Sequence, residues 1–187
     1  MTNFINFITI ARILLAPIIL LFLIFGNYLA CIILFFLAGL TDYFDGYLAR
    51  KYNAESQLGE LLDPVADKII IVFALIGLSV ILKSYLMAIL SSLIISREIG
   101  VSALRDFSSR NNISERSKVT FLAKTKTSVQ LLTIGCYLIA LTTSFNLLII
   151  LSDILLIIAT LITLYTGYQY FIEVMKKWKL VLLDMVL

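Results

Sequence analysis

The sequence contains no histidine, only two cysteines among 187 residues, and few charges, 14% of residues being Asp, Glu, Lys or Arg. Without histidine there can be no histidine base, no His-ligated zinc and no Ser-His-Asp triad. Cys31 and Cys136 each sit inside an apolar block, where they read as small buried hydrophobes. Two thiols cannot build a structural zinc site. A metal bound by this chain must therefore be held by oxygen, which favours Mg2+ or Mn2+. The scarcity of charge excludes most. A soluble domain of this length needs a charged surface, whereas 61% of residues here are hydrophobic and the mean hydropathy is +1.03. A soluble enzyme, a disordered chain and a disulfide scaffold are all ruled out.

What is present instead is a series of apolar segments, each close to the length that spans a hydrocarbon layer roughly 30 Å thick. They run over residues 8–26, 28–48, 61–82, 84–106, 118–143 and 146–174, separated by Gly26-Asn27, residues 51–59, Lys83-Ser84, residues 106–116 and residues 142–146. The expected fold is an all-α integral membrane protein with six transmembrane helices, a single domain over residues 1–187. Its short loops make neighbouring helices antiparallel. The first block lacks a small-residue cleavage pattern and has only Arg12 as an early cation, so it reads as a retained helix rather than a signal peptide. Arg12, Arg50, Lys51, Arg97, Arg105, Arg110, Arg116, Lys118, Lys124, Lys126 and the Lys176, Lys177, Lys179 tail fall at one set of helix ends, and only Lys83 at the other. That asymmetry predicts that both termini are cytoplasmic.

Charged groups at membrane depth are costly and carry a presumption of function. Here they cluster. The end of the second segment carries Asp42, Asp45, Gly46, Ala49 and Arg50, and the start of the third carries Gly59, Asp63 and Asp67. Positions three and four apart share a helix face. Asp42, Asp45/Gly46 and Ala49 thus form one stripe, and Gly59, Asp63 and Asp67 form another if the third helix starts near Ser56 as an N-cap. Pro64 removes one backbone bond and can kink that helix. Antiparallel packing would bring four aspartates together, and four carboxylates in a low-dielectric pocket repel strongly without a counter-charge. Two divalent cations would satisfy them as a two-metal site, and the glycines and Ala49 leave the same face open to a ligand. The bland alternative is a set of solvated carboxylates paired with Arg50, Lys51 and Lys68. Four aspartates on two registered stripes favour the site.

Asp42, Asp45, Gly46, Ala49, Arg50, Gly59, Asp63 and Asp67, eight residues at fixed spacing over 26 positions, resemble at every position the signature of the CDP-alcohol phosphotransferase family. The resemblance implies six transmembrane helices, a homodimer and a two-metal site opening to the cytoplasm. It implies a reaction in which the hydroxyl of one alcohol displaces CMP from a CDP-linked lipid or alcohol. It also implies residue roles: Asp42, Asp45 and Asp63 as metal ligands, Asp67 as a metal-associated general base, and Asn6, Thr9, Asp42, Gly46, Ala49, Arg50 and Gly59 around the CDP moiety. Asp67 lies deepest along the third helix, and with no histidine available a carboxylate is the natural proton acceptor.

Two further stretches bear on the acceptor. Asn6, Thr9 and Arg12, followed by Pro17, resemble the start of the bacterial branch of the family that makes phosphatidylglycerophosphate, although Ile5 stands where that branch usually has proline. Arg97-Glu98 with Leu104-Arg105, and Lys124 with Lys126-Thr127, resemble the same branch, with a weaker echo at Gly167-Tyr168-Gln169-Tyr170. The resemblance implies a CDP-diacylglycerol donor, an sn-glycerol 3-phosphate acceptor and a role in phospholipid biosynthesis at the inner, cytoplasmic membrane. Charge agrees, because Arg97, Arg105, Lys124 and Lys126 would supply the acceptor phosphate with cations distinct from the metals. The alternative for these cations is contact with lipid headgroups. Glu98 is expected to pair with a nearby cation.

Asp153 lies far from the signature, as a helix contact or facing water, and Tyr28, Tyr85 and Trp178 read as interfacial anchors. Within the family, serine, inositol or inositol phosphate stay open as acceptors. Outside it, a cation-coupled transporter would carry its carboxylates near the bilayer midplane and often an internal repeat, neither of which is evident. A nucleic-acid partner is not expected.

Overall fold

Apolar residues recurring every three or four positions become, among the described residues, six helices in the computed structural model: α1 (Thr2–Ile24), α2 (Tyr28–Tyr52), α3 (Gln57–Leu82), α4 (Tyr85–Arg110), α5 (Phe121–Thr143) and α6 (Asn146–Val186). The structure describes the backbone of residues 2–52, 57–111 and 121–186, and the side chains of residues 7–42, 44, 59, 62–111 and 125–179. Among the described residues there is no strand. Phe7–Ile24, Leu62–Leu82, Tyr85–Arg110 and Asn146–Lys179 are long and apolar enough to cross a membrane, and α2 adds a shorter apolar stretch, Tyr28–Asp42. Large apolar side chains also cover the outside, such as Leu14 and Leu161, each about three-fifths exposed. On helices of this length and hydropathy, such a surface is what contact with lipid favours. The chain is a multi-pass membrane protein.

Helix α3 packs against α1, α4 and α5, while α6 packs against α4 and α5. The shared core is built from stripes at helical spacing: Ala16, Ile19 and Leu23 in α1, Cys31, Phe35 and Ala38 in α2, and Ile71, Ala74 and Leu78 in α3. Each stripe runs on, at the same spacing, into polar residues at one end of the bundle. From Ala16 the same face of α1 reaches Arg12 and Thr9, from Ala38 that of α2 reaches Asp42, and from Ile71 that of α3 reaches Asp67 and Asp63. The packing that buries the apolar stripes therefore also gathers the polar residues.

Association of helices in lipid gains little from hydrophobicity and relies on close packing and internal hydrogen bonds. Buried Gln130 of α5 donates to Thr163 of α6 at 2.9 Å. Tyr137 of α5 donates to Asp153 of α6, so Asp153 is a helix–helix contact. Two buried hydroxyls bond within their own helices, Thr160 to Leu156 O and Thr133 to Val129 O. Cys31 is buried and neither cysteine is in a disulfide.

Helix ends follow local chemistry rather than hydropathy. Gly26, Lys83 and Ser144 lie in the left-handed region (φ 76°, 49° and 53°), the usual way to turn a chain out of a helix. Helix α4 continues past residue 106 to Arg110, where an Asp106–Arg110 ion pair of 3.0 Å links successive turns and Asn111 caps the end. Helix α6 continues beyond residue 174. Glu173 pairs with Lys177 at 3.3 Å, and Trp178 packs edge-on against Phe107 of α4 with ring centroids 5.1 Å apart. The expected N-cap Ser56, and Arg116 and Lys118, lie outside the described residues. At the start of α4 the Ser84 side chain accepts a hydrogen bond from Met87 N at 3.3 Å. Ser84→Ala is expected to cost about 1 kcal/mol, lowering the midpoint of thermal unfolding in detergent by roughly 2–4 °C. An unchanged midpoint would mean that this cap contributes nothing.

Candidate active site

The polar ends of the three stripes meet around one guanidinium. Arg12 of α1, with its side chain 1% exposed, donates through Nη1 to Asp42 of α2 and to Asp67 Oδ1 of α3 at 3.0 Å. Its Nη2 lies 3.9 Å from Asp63 Oδ1, and Thr9 Oγ1, one turn earlier in α1, donates to the same carboxylate oxygen at 3.0 Å. The three carboxylates are each about half exposed, so the guanidinium forms the floor of an acidic site that opens outward. Gly59, one turn before Asp63, is buried. Asn6, Asp45, Gly46, Ala49 and Arg50 lie outside the residues whose side chains are described.

The expected counter-charge for the aspartates was either a metal pair or the set Arg50, Lys51 and Lys68. Among the described residues it is Arg12. Lys68 follows Asp67 directly but turns away, donating to Ser102 of α4. In the sequence Arg12 stands as an early cation at the site's end of the bundle and as part of the Asn6, Thr9 and Arg12 resemblance, with no partner assigned to it. Its signal was its position: an arginine at membrane depth needs a buried anionic partner, and its spacing from Thr9 and Ala16 aims it at the core.

Three carboxylates around one guanidinium leave an excess of negative charge. Among the described residues no three such side chains are arranged to hold a metal ion directly. The donor set itself fits a hard divalent cation, being all oxygen, anionic and half exposed.

A single cavity of about 940 Å3 leads from Asp67 between α3, α4, α5 and α6, and Arg97, Arg105, Lys126 and Lys176 line it. Three of the four cations singled out from the sequence thus share one wall system with Asp67. The side chain of the fourth, Lys124, lies outside the described residues. Glu98 organises two of the three, accepting from Arg97 Nη1 at 3.0 Å and from Lys126 Nζ, so its expected pairing with a cation is observed twice over. Arg97 Nη2 also donates to Thr166 Oγ1 of α6 at 2.9 Å. Arg105 makes no hydrogen bond or ion pair to a described residue. Thr166 carried no weight in the sequence, because what gives it a role is contact with Arg97 across 69 positions, and the pairing of Glu98 with Lys126 likewise spans 28.

Such a layout, an acidic mouth joined by one cavity to a bank of cations, defines a polytopic membrane protein suited to phosphorylated ligands. Comparison with known proteins narrows the class. The family model for CDP-alcohol phosphatidyltransferases matches residues 2–165, and the chain belongs to that family. A relative from Rickettsia typhi is 38% identical over 175 residues, covering 91% of this chain and 96% of its own length. One from Rickettsia bellii is 39% identical over 173 residues (90% and 93%), and one from Haemophilus influenzae 38% identical over 173 residues (88% and 89%). Each of these is named a CDP-diacylglycerol–glycerol-3-phosphate 3-phosphatidyltransferase.

Proposed function

We propose that this protein transfers the phosphatidyl group of CDP-diacylglycerol to sn-glycerol 3-phosphate, giving phosphatidylglycerophosphate and CMP. The observation that carries the reading is the one cavity shared by Asp67 and the cations Arg97, Arg105 and Lys126. A glycerol phosphate whose phosphate rests on the cations can extend its hydroxyl toward Asp67. Relatives similar over nine-tenths of the chain bear the name of this activity, which supports both donor and acceptor.

In this reading the attacking hydroxyl oxygen of glycerol 3-phosphate forms a bond to the phosphorus that bears the diacylglycerol. The bond from that phosphorus to the bridging oxygen of the diphosphate breaks, and CMP leaves. The carboxylate of Asp67 takes the hydroxyl proton. Asp42, Asp45, Asp63 and Asp67 would hold two divalent cations, Mg2+ or Mn2+, which supply neutralisation of the diphosphate charge. Asn6, Thr9, Asp42, Gly46, Ala49, Arg50 and Gly59 are assigned to recognition of the CDP moiety by their match to the motifs of the family. Arg97, Arg105, Lys124 and Lys126 hold the acceptor phosphate, where guanidinium groups offer paired donors. Positioning accounts for much of such a reaction, since little covalent chemistry falls to the protein.

The chain is read as one domain over residues 1–187, with all six helices spanning the inner membrane, both termini and the site on the cytoplasmic side, and a homodimer as the working unit. The orientation rests on the cation count: Arg12, Arg97, Arg105, Lys126 and Lys176 share the site's end of the bundle, and Lys83 stands at the other.

The test is CMP release by purified protein in detergent with CDP-diacylglycerol and Mg2+ or Mn2+, offering glycerol 3-phosphate, serine, inositol and inositol phosphate separately. Release only with glycerol 3-phosphate is expected. Release with another acceptor would overturn the role given to Arg97, Arg105 and Lys126, and no metal-dependent release with any acceptor would overturn the transferase reading itself.

A further inference from the structure

Arg97 reaches the cavity by crossing α6, and α6 is shaped to let it pass. Its Nη2 donates to Thr166 Oγ1 at 2.9 Å, and Thr166 Oγ1 is itself anchored on Ile162 O at 2.9 Å. At the next position, Gly167, a Cβ would stand 2.8 Å from Arg97 Nε and 2.9 Å from Arg97 Cγ. Any side chain there would push the middle of the arginine, not its free end. That arginine has little room to yield, because its side chain is 9% exposed and its Nη1 is tied to Glu98. The buried Nε has no hydrogen-bond partner among the described residues, consistent with a backbone approaching too closely for any side-chain atom to intervene. Gly167 does not line the cavity, whereas Arg97 and Thr166 do.

We infer that Thr166 and Gly167 are positioning residues for the acceptor phosphate: α6 supplies a hydroxyl and a missing side chain that together fix the Arg97 guanidinium in the cavity wall. The inference deepens the proposed function and rests on its assignment of Arg97 to the acceptor. A planar guanidinium binds a phosphate well only at a fixed angle, and Glu98 alone holds it from one side. The hydrogen bond to Thr166, on a different helix, supplies the second constraint. An alanine at 167 would force Arg97 to shift by some tenths of an ångström or more and to lose that bond.

The experiment is steady-state kinetics of CMP release by the full-length protein in detergent, varying each substrate separately, for Gly167→Ala, Thr166→Val, Arg97→Ala and the double variant Gly167→Ala/Arg97→Ala. Loss of one charge-assisted bond predicts an acceptor KM raised about tenfold in Gly167→Ala and several-fold in Thr166→Val. The KM for CDP-diacylglycerol and kcat should change less than about twofold, within what non-specific perturbation produces. In the Arg97→Ala background Gly167→Ala should add almost nothing, since the group it positions is gone. An unchanged acceptor KM in Gly167→Ala, or an equal effect with and without Arg97, would overturn the positioning role. If Gly167→Ala does not fold, Thr166→Val, alone and combined with Arg97→Ala, decides by the same two criteria. Failure of the underlying reading looks different: Arg97→Ala would then leave the acceptor KM unchanged, or the unmodified protein would not use glycerol 3-phosphate.

Discussion

Asp67→Asn is expected to lower metal-dependent CMP release by about 10²–10⁴-fold, the range for losing a positioned general base. Binding of CDP-diacylglycerol, measured by calorimetry on the detergent-solubilised protein, should weaken far less. Asparagine keeps the shape and one oxygen of the carboxylate but cannot take a proton. Asp67 alone of the described aspartates lines the cavity that runs to Arg97, Arg105 and Lys126, so it is the carboxylate an acceptor hydroxyl would meet. Asp42→Asn and Asp63→Asn should instead weaken divalent-cation binding, seen as a higher metal concentration for half-maximal release. If Asp67→Asn loses donor binding in the same proportion as turnover, Asp67 is a ligand and not the base.

Arg12→Ala is expected to be the most destabilising single substitution in the site. The guanidinium is 1% exposed and is shared by Asp42, Asp63 and Asp67. Removing it leaves three carboxylates facing one another over a buried void, and breaking such an arrangement typically costs about 3–5 kcal/mol. For a chain of this size that corresponds to a fall in the unfolding midpoint of roughly 6–20 °C. Arg12→Lys should recover only part of the loss, because one ammonium cannot reproduce the two nitrogens that the arginine divides between its partners. Since the deficit is one of positive charge, millimolar Mg2+ should raise the midpoint of Arg12→Ala by more than that of the unmodified protein. Equal responses to Mg2+ would mean that Arg12 holds the helices together without balancing the carboxylates. An unchanged midpoint without metal would remove Arg12 from the site altogether.

Much of this protein is legible without a structure because the relevant signals are local. Apolar runs of membrane length became helices, and their turns fall at Gly26, Lys83 and Ser144, within the breaks expected at Gly26-Asn27, Lys83-Ser84 and residues 142–146. The i, i+4 spacing of Asp63 and Asp67 put them on one face before any packing was known, and the cations of α4 and α5 were sorted to the same end by charge alone. Where local signals change character, the reading stopped short. Hydropathy ends near residues 106 and 174, but helices α4 and α6 do not, because ion pairs such as Asp106–Arg110 and the contact of Trp178 with Phe107 sustain them past the apolar span.

The sequence by itself determined the class of molecule, the course of its helices and the spacing of its acidic signature, since composition and helical spacing are properties of neighbouring residues. Only the tertiary structure decided which charge meets which. Arg12 could have served as one more interfacial cation, Lys68 as the partner of Asp67, and Arg97 as a lipid contact. Instead Arg12 balances Asp42 and Asp67 from 30 and 55 positions away, Lys68 turns to Ser102, and Arg97 is held between Glu98 and the backbone of α6 at Gly167. In a low-dielectric interior each buried charge takes the partner that packing brings within reach, and that choice is made by helices far apart in the chain.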